Sequence, residues 1–109
     1  MIRLPDTAIE QIRKLFLQFF LPGDALWIFG SRVRPEEKGG DIDLYIETTC
    51  TNADHVLDMK LRFLAALKSK IGDQKIDVII KFGNFTLPIY QIAKETGIQL
   101  TSIPIIPSS

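Results

Sequence analysis

With 109 residues and 46% hydrophobic content, the chain can bury a core and is sized for one domain, which argues against disorder. Thirteen Lys and Arg balance thirteen Asp and Glu, so no global basic field draws in bulk DNA or RNA. No apolar run approaches the ~20 residues of a membrane span, no signal-peptide core opens the chain, and Cys50 has no second cysteine to pair with; a cytoplasmic protein is expected.

Asp6 or Thr7 can cap a first helix running to about Phe20, with Ile9, Ile12, Leu15, Phe16 and Phe19 on one stripe. Leu21-Pro22-Gly23-Asp24 ends it, because Pro and Gly break helical geometry. Ala25 to Phe29 is a short continuous apolar run, the signature of a strand covered on both faces. Gly30-Ser31 follows, then a charged loop in which Glu36-Glu37-Lys38 reads as solvated. Asp41 to Glu47 is the second strand, and its short connection to the first suits hairpin pairing.

Asn52 or Thr51 caps a long helix to about Ile71, with Val56, Met59, Leu61, Phe63, Leu64, Leu67 and Ile71 as its apolar surface. Gly72-Asp73 stops it, and Lys75 to Phe82 forms a third strand. Asn84 or Thr86 opens a weaker helix through Thr96, ended by Gly97. Pro104 and Pro107 break the tail, residues 98–109, which is expected to be extended. It carries enough apolar surface either to pack back on the domain or to dock a partner or a second copy. The order α-β-β-α-β-α describes a small α/β (α+β) domain over residues 1–109, a short mixed sheet packed against helices.

The chemistry lies in the acids. Carboxylates are depleted in strands, yet Asp41 and Asp43 stand at i and i+2 at the head of an alternating run. Successive strand side chains point to opposite faces, so the two acids share one face while Ile42, Leu44 and Ile46 share the other. Like charges held side by side need a cation or donors to neutralise them, and Mg²⁺ held by one or two carboxylates usually also holds phosphate. Asp77 repeats the anomaly, embedded among Ile76, Val78, Ile79 and Ile80. If its strand lies beside the second, Asp41, Asp43 and Asp77 form a three-carboxylate cluster able to hold two metal ions. Gly30 lets a backbone approach phosphate oxygens closely, and the Ser31 hydroxyl and following amides can donate to them. No glycine-rich P-loop with lysine is present, which disfavours a P-loop NTPase. His55, Cys50, Trp27 and Phe29 read as ordinary helix-surface or core residues. Lys81, on the face of Asp77, could touch a phosphate or simply end a strand.

Together, Phe29-Gly30-Ser31-Arg32, Gly39-Gly40-Asp41-Ile42-Asp43 and Lys75-Ile76-Asp77-Val78 resemble a minimal nucleotidyltransferase of the DNA polymerase beta superfamily. The resemblance spans residues 25–82 as the catalytic core. It implies the small nucleotidyltransferase fold, with Gly30 and Ser31 on the triphosphate of ATP, Asp41 and Asp43 on Mg²⁺, and Asp77 as ligand or base. Arg32 falls at a basic position that contacts phosphate or acceptor. Many such proteins resemble the antitoxin half of a module whose other half is a helical HEPN ribonuclease toxin. The implied reaction is then transfer of AMP from ATP to a tyrosine of that toxin. The alternatives are an antitoxin that neutralises its partner by binding alone, and nucleotidyl transfer to a small molecule or an RNA end.

Overall fold

The computed structural model describes residues 2–34, 40–72 and 74–105. The Glu36-Glu37-Lys38 run, Gly39, Asp73 and the tail from Ile106 onward, with Pro107, lie outside the described residues. Helix α1 (Asp6–Phe19) starts behind Pro5 rather than at an Asp6 or Thr7 cap. The Pro5 carbonyl accepts from the amides of Ala8 and Ile9, and Asp6 sits in the first turn, where its charge complements the helix dipole. Strand β1 (Ala25–Phe29) is followed by one 3-10 turn, Gly30–Val33, and then strand β2 (Ile42–Glu47). Asn52 caps α2 (Ala53–Ile71), its side-chain oxygen accepting from the His55 amide at 3.1 Å. Strand β3 (Ile76–Lys81) follows.

Helix α3 (Pro88–Thr96) begins later than Asn84 or Thr86. Pro88 occupies the first helical position, which needs no amide hydrogen, and it forces the preceding Leu87 into extended backbone. The described part of the tail is extended and packs back on the domain, and it adds an element that the order α-β-β-α-β-α did not contain: Ile98–Ser102 forms a fourth strand, β4, antiparallel to β1. Ile98 and Leu100 pack into the main core, so alternation in this short segment was a strand signal.

The sheet order is β3-β2-β1-β4. β1 pairs antiparallel with β2 and with β4, whereas β2 and β3 run parallel, as a strand–helix–strand crossover through α2 requires. One face carries Leu26, Ile28, Ile42, Leu44, Ile46, Ile76, Val78 and Ile80 against the buried stripes of α1 and α2. In α2 the buried residues are Val56, Phe63 and Leu67; Leu61, expected on the stripe, is 57% exposed. The opposite face holds a smaller cluster in which Trp27, Phe29 and Tyr45 pack against Tyr90 and Ala93 of α3. β1 is thus covered on both faces, as its unbroken apolar run requires.

Asp24 is wholly buried beside β1. Its carboxylate accepts from the Thr49 amide at 2.7 Å, the Thr48 hydroxyl at 2.8 Å, the Leu21 amide at 3.0 Å and the Thr49 hydroxyl at 3.1 Å. The acid ties the end of α1 to the exit of β2. Among the described residues no helix is long and apolar enough to cross a membrane.

Candidate functional site

Register brings the acids together. Phe29 is the Cα partner of Asp43 across the β1–β2 pair, and Asp43 is the partner of Asp77 across the β2–β3 pair. Side chains in register on adjacent strands point the same way, so Asp43 and Asp77 are neighbours on the face opposite α1 and α2. Asp41 lies just before β2, two residues from Asp43. Its carboxylate is 3.6 Å from the Lys75 ammonium; both groups are exposed, and such a pair contributes little stability. Lys75 therefore partners Asp41, not Asp77, whose residue is exposed.

The Gly30–Ser31 turn closes the site on the β1 side. Gly30 has φ +76°, and a Cβ placed on it would collide with the Asp43 carboxylate. Gly40, at φ +101°, would likewise drive a Cβ into the Ser31 hydroxyl. The Ser31 hydroxyl donates to the Asp41 carbonyl at 3.3 Å. The sequence signal for Gly30 was its place at the end of an apolar strand. Gly40 belongs to the Gly39-Gly40-Asp41-Ile42-Asp43 motif read from the sequence, and its close approach to Ser31 is what folding adds.

Electrostatics mark Asp43 as the strained member. Its carboxyl is raised above the ordinary carboxylate value, first by burial, then by the charges of Asp77 and Asp41, and Lys75 and Arg34 offset this only partly. A cation placed among these oxygens would relieve that repulsion. The donor set is all hard oxygen and fits a divalent ion of the Mg²⁺ kind. Among the described residues no three His, Cys, Asp or Glu side chains close on a common point, so the acids stand as neighbours rather than as a closed ligand cage.

Arg32 is placed differently from the other site residues. Its guanidinium donates to the Arg3 carbonyl at 3.1 Å and to the Gln74 side-chain oxygen at 2.9 Å, and its Nε is buried without a partner among the described residues. Arg3 returns the clasp: its amide donates to the Arg32 carbonyl at 2.7 Å, and its side chain donates to the carbonyls of Ser31 and Arg34. Arg32 thus braces the back of the turn. Arg3, which sequence reasoning passed over, is bonded to the turn itself. One row along from Asp43, the Tyr45 hydroxyl donates to Glu47 at 2.8 Å, and burial together with that carboxylate pushes the phenol above its usual range.

The nucleotidyltransferase domain family matches residues 9–99 of this chain. A solved structure of tri-AMPylated Shewanella oneidensis HEPN toxin in complex with MNT antitoxin contains a chain of similar fold. The TM-score is 0.61 at 18% sequence identity, covering 89% of this chain and 71% of that one. No curated protein matches the chain.

Proposed function

The chain belongs to the nucleotidyltransferase domain family, and from that footing we propose that it transfers AMP from ATP to a protein hydroxyl, a tyrosine of a HEPN-type toxin, and so acts as an antitoxin. The observation that carries the reading is the register of Asp43 with Asp77 on parallel strands, beside a turn whose glycine leaves room only for the Asp43 carboxylate. The similarity of fold to a chain from a complex of MNT antitoxin with AMPylated HEPN toxin supports the choice of partner and of transferred group.

In this reading residues 1–109 act as one cytoplasmic domain. Gly30 and Ser31 hold the triphosphate against the backbone of the turn, and Arg3 and Arg32 keep that turn in place. Asp41, Asp43 and Asp77 are the residues that would hold Mg²⁺, as one ion or two. When bound, the metal supplies neutralisation of phosphate charge and polarisation of the α-phosphate. The acceptor oxygen bonds to the α-phosphorus as the bond to the bridging oxygen of pyrophosphate breaks. Asp77, the exposed acid, takes the hydroxyl proton. Positioning and charge stabilisation do the work, with no covalent enzyme intermediate.

The test is label transfer. With Mg²⁺ and a HEPN partner, ATP labelled on the α-phosphate should mark the partner and ATP labelled on the γ-phosphate should not. The reverse pattern would make the protein a phosphoryl-transfer enzyme, and absence of both labels would favour neutralisation by binding. That second reading draws on the same complex, since an antitoxin held on its toxin can occlude it without turnover.

A further inference from the structure

On the face that carries Asp43 and Asp77, further along the same strands, lies a pocket of about 370 Å³ between β2, the end of β3 and α3. We propose that this pocket seats the acceptor as a polypeptide segment, with its hydroxyl at Asp77 and an acidic side chain at Lys81. The proposal rests on the nucleotidyl-transfer reading and adds to it the chemistry by which the acceptor is selected.

Direction of approach comes first. The Gly30–Ser31 turn flanks Asp43 on the β1 side, and Asp77 flanks it on the β3 side. Attacking and leaving oxygens lie roughly in line in phosphoryl chemistry. With the triphosphate on the turn, pyrophosphate departs toward β1, so the acceptor enters from β3. On this face β3 offers Asp77, then Ile79, then Lys81, and Lys81 lines the pocket.

Charge then selects the ligand. Lys94 pairs with Glu47 at 3.3 Å and lies over the Trp27 ring, 5.4 Å from its centroid. Glu47 also accepts from Tyr45, and Glu95 accepts from Gln91 at 2.7 Å. Lys81 is the Cα partner of Glu47, yet its side-chain ammonium makes no hydrogen bond or ion pair among the described residues. An unpaired ammonium beside engaged neighbours favours a carboxylate and disfavours a cation.

Size and reach narrow it further. Tyr45 and Tyr90, stacked with centroids 5.6 Å apart, give the pocket an apolar side that suits one or two side chains of an extended peptide. Four residues of strand from Asp77 to Lys81 span about 13 Å at ~3.3 Å each, and the lysine stem shortens the gap. The carboxylate therefore belongs about two to four residues from the acceptor hydroxyl.

The test is amide chemical-shift mapping on the full chain, with three probes used separately. These are MgATP, a peptide with one tyrosine and a glutamate three residues away, and the same peptide with lysine in place of glutamate. The expected result is that MgATP moves Gly30, Ser31 and Asp43, while the glutamate peptide moves Lys81, Thr86 and Gln91. Lys81→Glu should weaken the glutamate peptide by about tenfold, strengthen the lysine peptide, and leave MgATP binding unchanged. MgATP moving Tyr90 and Gln91 would make the pocket the nucleoside's seat and overturn the proposal. Equal binding of the two peptides, or no shift at Lys81 with either, would overturn it as well. Peptide binding at the pocket with no MgATP effect at Gly30 would leave a peptide site standing and remove the nucleotidyl-transfer reading instead.

Discussion

Asp43 and Asp77 are register partners on adjacent parallel strands, Asp43 partly buried and Asp77 exposed. Directly opposed like charges destabilise a sheet, and the Asp43 carboxyl is raised first by its burial and then by that repulsion. The fold tolerates this pair at the edge of a face whose next row, Tyr45 and Ile79, is packed under α3.

Neutralising the strained acid should separate stability from activity. Asp43→Asn should raise the thermal midpoint in the presence of chelator while reducing AMP transfer by more than about a hundredfold, since even partners one shell away from a metal cost up to that much. Paired unfolding and transfer assays check it. A variant that is both less stable and inactive would assign Asp43 a structural role.

The same acid sets a pH dependence. Because its native pKa lies above the unfolded value of 3.8, the folded chain binds more protons than the unfolded chain between those two values. Stability attributable to Asp43 therefore falls as pH rises through that window, and the penalty persists above it. Denaturant melts from acidic to neutral pH without metal should show wild type close to Asp43→Asn at the acid end and falling below it as pH rises. Mg²⁺ should then raise the wild-type midpoint and leave the Asp41→Asn, Asp43→Asn double variant unmoved.

Gly30→Ala tests the close approach in the turn. The substitution puts a Cβ on the Asp43 carboxylate at a positive φ, so a loss of about 1–3 kcal/mol is expected, with transfer activity falling further than stability. Differential scanning calorimetry and initial rates measure the two.

Arg32→Ala should behave as the removal of a brace. Loss of the bonds to the Arg3 carbonyl and Gln74 should cost about 1–3 kcal/mol, and any rise in KM for ATP should be largely recovered on cooling. A KM effect unchanged by temperature, without loss of stability, would return Arg32 to direct phosphate contact.

Asp24→Ala removes a buried carboxylate that accepts four hydrogen bonds far from the acids of the site. It should destabilise by about 2–4 kcal/mol, through the donors it leaves unsatisfied, while MgATP affinity of the folded fraction stays unchanged.

Much of this was legible in the chain because it lies in periodicity. The alternation at Asp41–Ile46 and the unbroken apolar run at Ala25–Phe29 place their side chains on the faces the structure gives them. The α2 crossover then makes β2 and β3 parallel neighbours, which the meeting of Asp43 and Asp77 requires. What escaped depends on tertiary contact. A lone Asp in a Pro-Gly turn reads as a helix breaker, and only folding surrounds Asp24 with Thr48 and Thr49. Arg32 beside the serine suggests phosphate contact, but its guanidinium is directed by Gln74, 42 residues away. β4 was hidden by the prolines beyond it, although Ile98 and Leu100 alternate correctly.

The most direct measurement is the intact mass of a HEPN partner after incubation with this protein, ATP and Mg²⁺, beside the Asp41→Asn, Asp43→Asn variant. A gain of one or more AMP units with wild type, and none with the variant, is the predicted result. An unmodified partner held in a stable complex with the wild-type chain would contradict it.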